Sequence, residues 1–197
     1  MSKKKIAVLF ADGFEEIEAL SVVDFVRRAD IEVTMVSIKD SVEVVGAHGI
    51  EIKCNGLLSD LTAKIAADYD GVVLPGGLPG AEYLRDSEAV IGLIKQMSAI
   101  GKIVAAICAA PIVLERAGLT EGKAGTSYPG YDDDEFSYSE YKEDIVVQDG
   151  NLITARGPAT SIYFALKIIE ALCGKDISVE IAEESLVPLV ESHIKNK

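Results

Sequence analysis

Cys108 carries the side chain best suited to covalent chemistry, and its setting Ala-Ile-Cys-Ala-Ala-Pro (106–111) defines what that chemistry would be. The apolar run Ile103-Val104-Ala105-Ala106 precedes it and a helix-like segment follows, so the thiol falls where a buried strand turns sharply into a helix. Such an elbow lifts a nucleophile clear of the sheet and aims free backbone N–H groups at the atom it attacks. Small neighbours leave room for the tight turn and for a substrate. A helix N-terminus beside the sulfur favours thiolate, and cysteine pKa values in such places fall to roughly 3.5–7.5. A cysteine in an arbitrary position is more often a silent core residue. Cys54 and Cys173 lack the strand-turn-helix context: Cys54 ends a hairpin, with an expected place at the surface, and Cys173 sits at a helix end.

Gly76-Gly77 follow a second buried run, Gly71 to Leu74, and Pro75. Glycines here make a turn in any case. If the turn lies beside Cys108, the N–H of Gly77 faces the sulfur and forms an oxyanion hole with that of Ala109. The segment has no following Lys-Ser/Thr and fits no nucleotide fingerprint. Asp12-Gly13-Phe14-Glu15-Glu16-Ile17-Glu18 sets carboxylates at the start of the first helix, where complementing the helix dipole accounts for Glu15 and Glu16. Glu18 lies one turn further on. Pointing inward, it is a carboxyl in an apolar site, with a raised pKa and the ability to share a proton with a nearby thiolate. No histidine is placed for a Cys–His pair, since His48 occupies a hairpin tip and His193 a charged, frayed C-terminal tail. The acidic run Asp132-Asp133-Asp134-Glu135, with Glu140, Glu143 and Asp144 beyond, does not have calcium-loop spacing and reads as a solvated loop, so no metal is expected.

The elements that must hold these residues are short apolar runs alternating with helical periodicity. Strands are expected at 6–10, 33–38 and 71–74, and before Cys108; helices at 16–29, 59–67, from Ser87 (a capping residue) to Ile100, at 112–117 and at 159–172. Residues 42–52 alternate about Gly46-Ala47-His48-Gly49 and 145–154 about Gln148-Asp149-Gly150-Asn151, both hairpin patterns. One further amphipathic stretch runs from 177 to 194. Alternating strand and helix indicates an α/β fold with a parallel sheet covered on both faces. Sites in such sheets form beyond the carboxyl ends of the strands, so the loops at 12–18, 75–80, 108–111 and around Arg156-Gly157-Pro158 should converge on one edge.

At 197 residues the chain is read as one domain (1–188) followed by a short charged tail (189–197). Its net charge of -13 argues against nucleic-acid and anionic-membrane partners. The N-terminal apolar run is short and ends at Asp12, unlike a secretory signal, and three cysteines without ligand spacing suit a reducing cytoplasm.

Four motifs in this order resemble the ThiJ/PfpI superfamily, and within it the Parkinson-disease protein seven (DJ-one) type and its bacterial relatives: 12–18, Val-Val-Leu-Pro-Gly-Gly (72–77), Ala-Ala-Ile-Cys-Ala-Ala-Pro (105–111) and Thr-Ala-Arg-Gly-Pro-Ala-Thr (154–160). The resemblance implies a flavodoxin-like three-layer sandwich related to class I glutamine amidotransferases, usually a homodimer. It makes Cys108 the nucleophile, Glu18 its carboxyl partner, and Gly77 and Ala109 the oxyanion donors, with Gly76, Tyr128, Arg28, His48 and Arg156 as candidate pocket lining. Two departures stand out. Ser127-Tyr128-Pro129 occupies the place of a Thr-His-Pro stretch in animal relatives, and His48 replaces an Arg at the hairpin tip, while Arg28 keeps the other basic position.

The expected activity is therefore that of a cysteine enzyme, without metal or organic cofactor, acting on reactive dicarbonyls or their adducts in the glyoxalase or deglycase manner. The alternative is an oxidative-stress sensor or chaperone in which Cys108 oxidises to a sulfinate. Amidase or protease chemistry ranks below both, because the imidazole it would use is missing.

Overall fold

In the computed structural model, which describes residues 3–130 and 136–195, strand β1 (Lys5–Phe10) sets the architecture. Ile6, Val8 and Phe10 face one side, Ala7 and Leu9 the other, and all five are fully buried. A strand apolar on both faces has to be covered twice. The chain continues through α1 (Glu16–Arg28), β2 (Glu32–Ser37), β3 (Glu43–Val45), β4 (Glu51–Lys53), β5 (Gly56–Leu57), α2 (Leu58–Asp68), β6 (Gly71–Leu74), α3 (Gly80–Asp86), α4 (Glu88–Ala99), β7 (Ile103–Ile107) and α5 (Pro111–Arg116). It ends with β8 (Ala124–Gly125), β9 (Glu140–Tyr141), β10 (Val146–Asp149), β11 (Leu152–Ala155), α6 (Ser161–Cys173), α7 (Lys175–Glu184) and α8 (Val187–Lys195).

Seven strands form the central sheet in the order β10-β11-β7-β6-β1-β2-β5, parallel except for β10, which pairs antiparallel with β11. Helices α1, α6 and α7 cover one face through Val22, Val26, Phe164, Ile168 and Ile181. On the other face, α2 to α5 supply Ile65, Leu84, Ile94 and Leu114. This is the flavodoxin-like three-layer sandwich expected. The parallel strands β1, β6, β7 and β11 end at one edge, which brings the loops after them together. The β3–β4 hairpin is a separate two-stranded excursion, and Ser87 caps α4 by accepting from the Val90 N–H.

The structure differs from the sequence reading at His193 and Cys54. The amphipathic stretch 177–194 is divided between two helices, because Leu186 takes φ +61° between α7 and α8. His193 accordingly lies in α8 and not in a frayed tail. Cys54 is not at the surface: the hairpin folds its end back onto the α1 side of the sheet, and burial pushes the thiol up to about 11. Helix α3, which follows the Gly76-Gly77 turn directly, has too little periodicity in seven residues to be anticipated. The acidic run 132–135 lies outside the described residues. Among the described residues no helix is long and apolar enough to cross a membrane.

Candidate active site

Cys108 directly follows β7 with φ +64°, a left-handed conformation that costs a non-glycine residue about 1–2 kcal/mol. The elbow is held from both sides. The Cys108 N–H donates to the Ala155 carbonyl (2.9 Å), continuing the β7–β11 ladder, and its carbonyl accepts from the Tyr128 N–H (2.8 Å). The Ala110 N–H closes the turn on the Ile107 carbonyl (3.0 Å), and Pro111 opens α5, where a missing N–H costs nothing. The turn leaves the backbone N–H of Ala109 directed at the sulfur, joined by that of Gly77 from the loop after β6.

Glu18, in the first turn of α1, is fully buried and points inward. Its Oε2 accepts from the Gly76 N–H (2.9 Å), its Oε1 is buried without a hydrogen-bond partner among the described residues, and the carboxyl lies beside the Cys108 sulfur. Burial raises its proton affinity most; hydrogen bonds from Cys108 and Gly76 oppose this only in part, and the pKa is pushed up to about 7. Gly76 fits between the two groups because it has no side chain. Gly77, at φ +86°, packs its Cα on the backbone of residues 13–15, where the Glu15 N–H donates to the Gly76 carbonyl (2.9 Å).

The thiol does not follow the expectation of a low pKa. Burial pushes it up, the Glu18 charge and hydrogen bond push it further, and the N–H groups of Ala109 and Gly77 only partly oppose them. Both Glu18 effects disappear when Glu18 is protonated. The pair therefore acts as a unit: sulfur carries negative charge most readily when Glu18 holds the proton.

Around this centre the remaining candidates separate. Tyr128 is half exposed, beside the elbow through its backbone, with its ring against Gly157. Arg156 follows the Ala155 anchor; its N–H donates to Ile145 (3.3 Å) and its Nη1 is buried without a hydrogen-bond partner among the described residues. Arg28 is not brought to the site of its own chain. It lies ten residues along α1 from Glu18, about 15 Å at 1.5 Å per residue, paired with Asp24 (2.8 Å) and over the Phe25 ring. His48 also stays outside the sulfur's surroundings, at the hairpin tip against Glu16 (Nδ1 to Oε2, 2.8 Å).

Glu16 does more than complement a helix dipole. It is buried, and its Oε1 accepts from the N–H groups of His48 (2.8 Å) and Ile50 (3.4 Å), pinning the hairpin to α1. Burial raises its proton affinity, but these bonds and the His48 ring outweigh burial and hold the carboxyl below the usual range. No spacing signals a contact between residues 16 and 48. Ala155, the acceptor for the elbow, was equally silent, since it acts through its backbone.

The sheet and its strand-turn-helix elbow define an α/β sandwich of the nucleophile-elbow type with a thiol at the turn. A family model described as "DJ-1/PfpI family" matches residues 4–171, and the chain belongs to that family. It is 43% identical over 194 residues to protein dj-1beta of Drosophila melanogaster, covering 95% of this chain and 98% of that one. A protein named deglycase from Pyrococcus abyssi is 33% identical over 169 residues, 85% of this chain and 99% of that one. The chain matches DJ-1 homolog B of Arabidopsis thaliana at 36% identity over 92% of its own length but spans only 41% of that longer protein. Among solved structures, oxidized Toxoplasma gondii DJ-1 superposes with a TM-score of 0.88 at 38% identity, over 93% of this chain and 98% of that one.

Proposed function

We propose that the protein is a cofactor-independent cysteine enzyme acting on small dicarbonyls such as methylglyoxal, or on their early adducts. The observation that carries this reading is the fully buried Glu18 carboxyl beside a sulfur that faces two backbone N–H groups. The Cys108 thiolate adds to the aldehyde carbon, and the N–H groups of Gly77 and Ala109 hold the alkoxide. Glu18 gives that alkoxide its proton and becomes a carboxylate. It then takes the proton from the former aldehyde carbon to give an enediolate, the hydroxyl proton on that carbon passes to the neighbouring oxygen, and Glu18 returns its proton to the neighbouring carbon, which converts the hemithioacetal into a thioester. Water cleaves the thioester to lactate and restores the thiol–carboxyl pair. The deglycase name of the Pyrococcus relative supports this class.

The test is lactate formation from methylglyoxal by purified protein. Cys108→Ser should abolish turnover, and Glu18→Gln should lower it about 10²-fold or more while Cys108 remains open to alkylation. Turnover unchanged in Cys108→Ser would sink the proposal. As in the family resemblance, the acting unit is proposed to be a homodimer in the cytoplasm, which light scattering and fractionation address.

A second reading is favoured by the Glu18 Oε1, which has no hydrogen-bond partner among the described residues, and by a structural relative solved in an oxidized form. With two equivalents of peroxide the thiolate becomes a sulfinate and two waters are released; protonated Glu18 then donates to a sulfinate oxygen. Selective gain of two oxygens on Cys108 under mild peroxide, without dicarbonyl turnover, distinguishes this role. Peptide cleavage has less support, since Tyr128 stands where an imidazole would be required.

A further inference from the structure

Outside the Cys108 pocket, one cluster combines nitrogen and carboxylate donors from two separate elements: Glu15 and Glu16 at the start of α1, and His48 on the hairpin tip. His48 Nδ1 lies 2.8 Å from Glu16 Oε2 and 3.7 Å from Glu15 Oε1, and one donor atom from each residue falls within 4.8 Å of the others. The two carboxylates are largely buried, their side chains 13% and 6% exposed, while the imidazole is 68% exposed. Glu16 is already anchored, because its Oε1 is engaged by the His48 and Ile50 N–H groups. Its Oε2 is thereby fixed toward the imidazole. The three side chains also line an open groove of about 230 Å³ with Ile17 and Ile50, room for the water that would complete a coordination shell.

We propose that Glu15, Glu16 and His48 form a site for a divalent ion of the zinc type, with His48 Nδ1, Glu16 Oε2 and Glu15 Oε1 as ligands and water completing a tetrahedral shell. In the metal-free chain the Nδ1 proton makes the hydrogen bond to Glu16. The ion replaces that proton, which leaves Nδ1 while Nε2 holds the ring's one remaining proton, and it also neutralises two carboxylates held in a poorly hydrated place. One imidazole among the donors selects zinc, cobalt or nickel over magnesium and calcium, which favour all-oxygen shells. None of the three ligands touches the thiol of its own chain, so the site supplies no step in the proposed dicarbonyl chemistry, although the Glu15 charge acts on Glu18.

The experiment uses the full-length Cys108→Ser protein, which removes the reactive sulfur as a competing ligand. Titration with Co²⁺ should give visible d–d absorption without sulfur-to-cobalt charge-transfer bands, and Zn²⁺ should displace the cobalt. His48→Ala, a change at an exposed tip, should weaken binding at least ~10-fold, as should Glu15→Gln, with both variants shown folded by circular dichroism. The proposal is overturned by absence of binding, by charge-transfer bands that place the ion on Cys54 or Cys173, by affinity unchanged in both variants, or by Mg²⁺ competing as well as Zn²⁺.

Discussion

Gly76 separates the Glu18 carboxyl from Cys108, and a Cβ at this position would lie 2.5 Å from Glu18 Oε2, 2.7 Å from Cys108 Cβ and 2.9 Å from the Ile107 carbonyl. Neither backbone nor a buried carboxyl can retreat cheaply, so Gly76→Ala should cost about 1–3 kcal/mol in urea denaturation and sharply reduce turnover. Normal stability and rate in that variant would contradict the packing described. Glu18 carries a separate signature. Its folded pKa of about 7 lies above its ordinary 4.5, so its contribution to stability is fully present below pH 4.5 and is lost as pH rises through 7. The difference corresponds to roughly 3 kcal/mol. Melting temperatures of wild type and Glu18→Gln between pH 4 and 8 should therefore diverge, with the variant relatively more stable at the alkaline end; parallel curves would refute it. At this scale the sequence reveals Cys108 and an inward Glu18, because strand-turn-helix context and helical spacing are local. It does not reveal which way the thiol shifts, since desolvation depends on what the other loops cover.

Elements were legible in proportion to their periodicity. The continuous apolar runs of β1 and β6 and the long apolar face of α6 show their type in the sequence; the two-helix break at Ser185-Leu186 does not, because amphipathic spacing runs through it. Leu186 is half exposed in the left-handed conformation that glycine tolerates best, just past the end of α7. Leu186→Gly should thus raise stability by up to about 1 kcal/mol in chemical denaturation, whereas a straight helix across 177–194 would lose stability on the same change. The β3–β4 hairpin depends on a contact 32 residues away. Removing the buried Glu16 charge with Glu16→Gln should cost about 1–3 kcal/mol and speed hydrogen exchange at the His48 and Ile50 amides. Unaltered exchange there would show that the hairpin is held by something else.

In the whole molecule the two faces of one sheet bury the two apolar clusters of the core, and the groups proposed to react, Glu18, Gly77, Cys108 and Ala109, follow three of its strands at the carboxyl edge. That convergence follows from strand direction and was readable from the order of elements, whereas Arg28, assigned by motif position alone, sits at the far end of α1 in its own chain. The backbone clamp on Cys108 has a further consequence. Its amide belongs to the β7–β11 ladder and its carbonyl to the Tyr128 strap, so the proposed nucleophile is tied into the central sheet, the kind of structure expected to open last. Heating should leave no window in which the fold survives and the activity does not: loss of turnover and loss of circular dichroism should follow one curve. On the proposed function, a chain so built makes its reactive thiol a gauge of its integrity, and turnover would count the folded molecules.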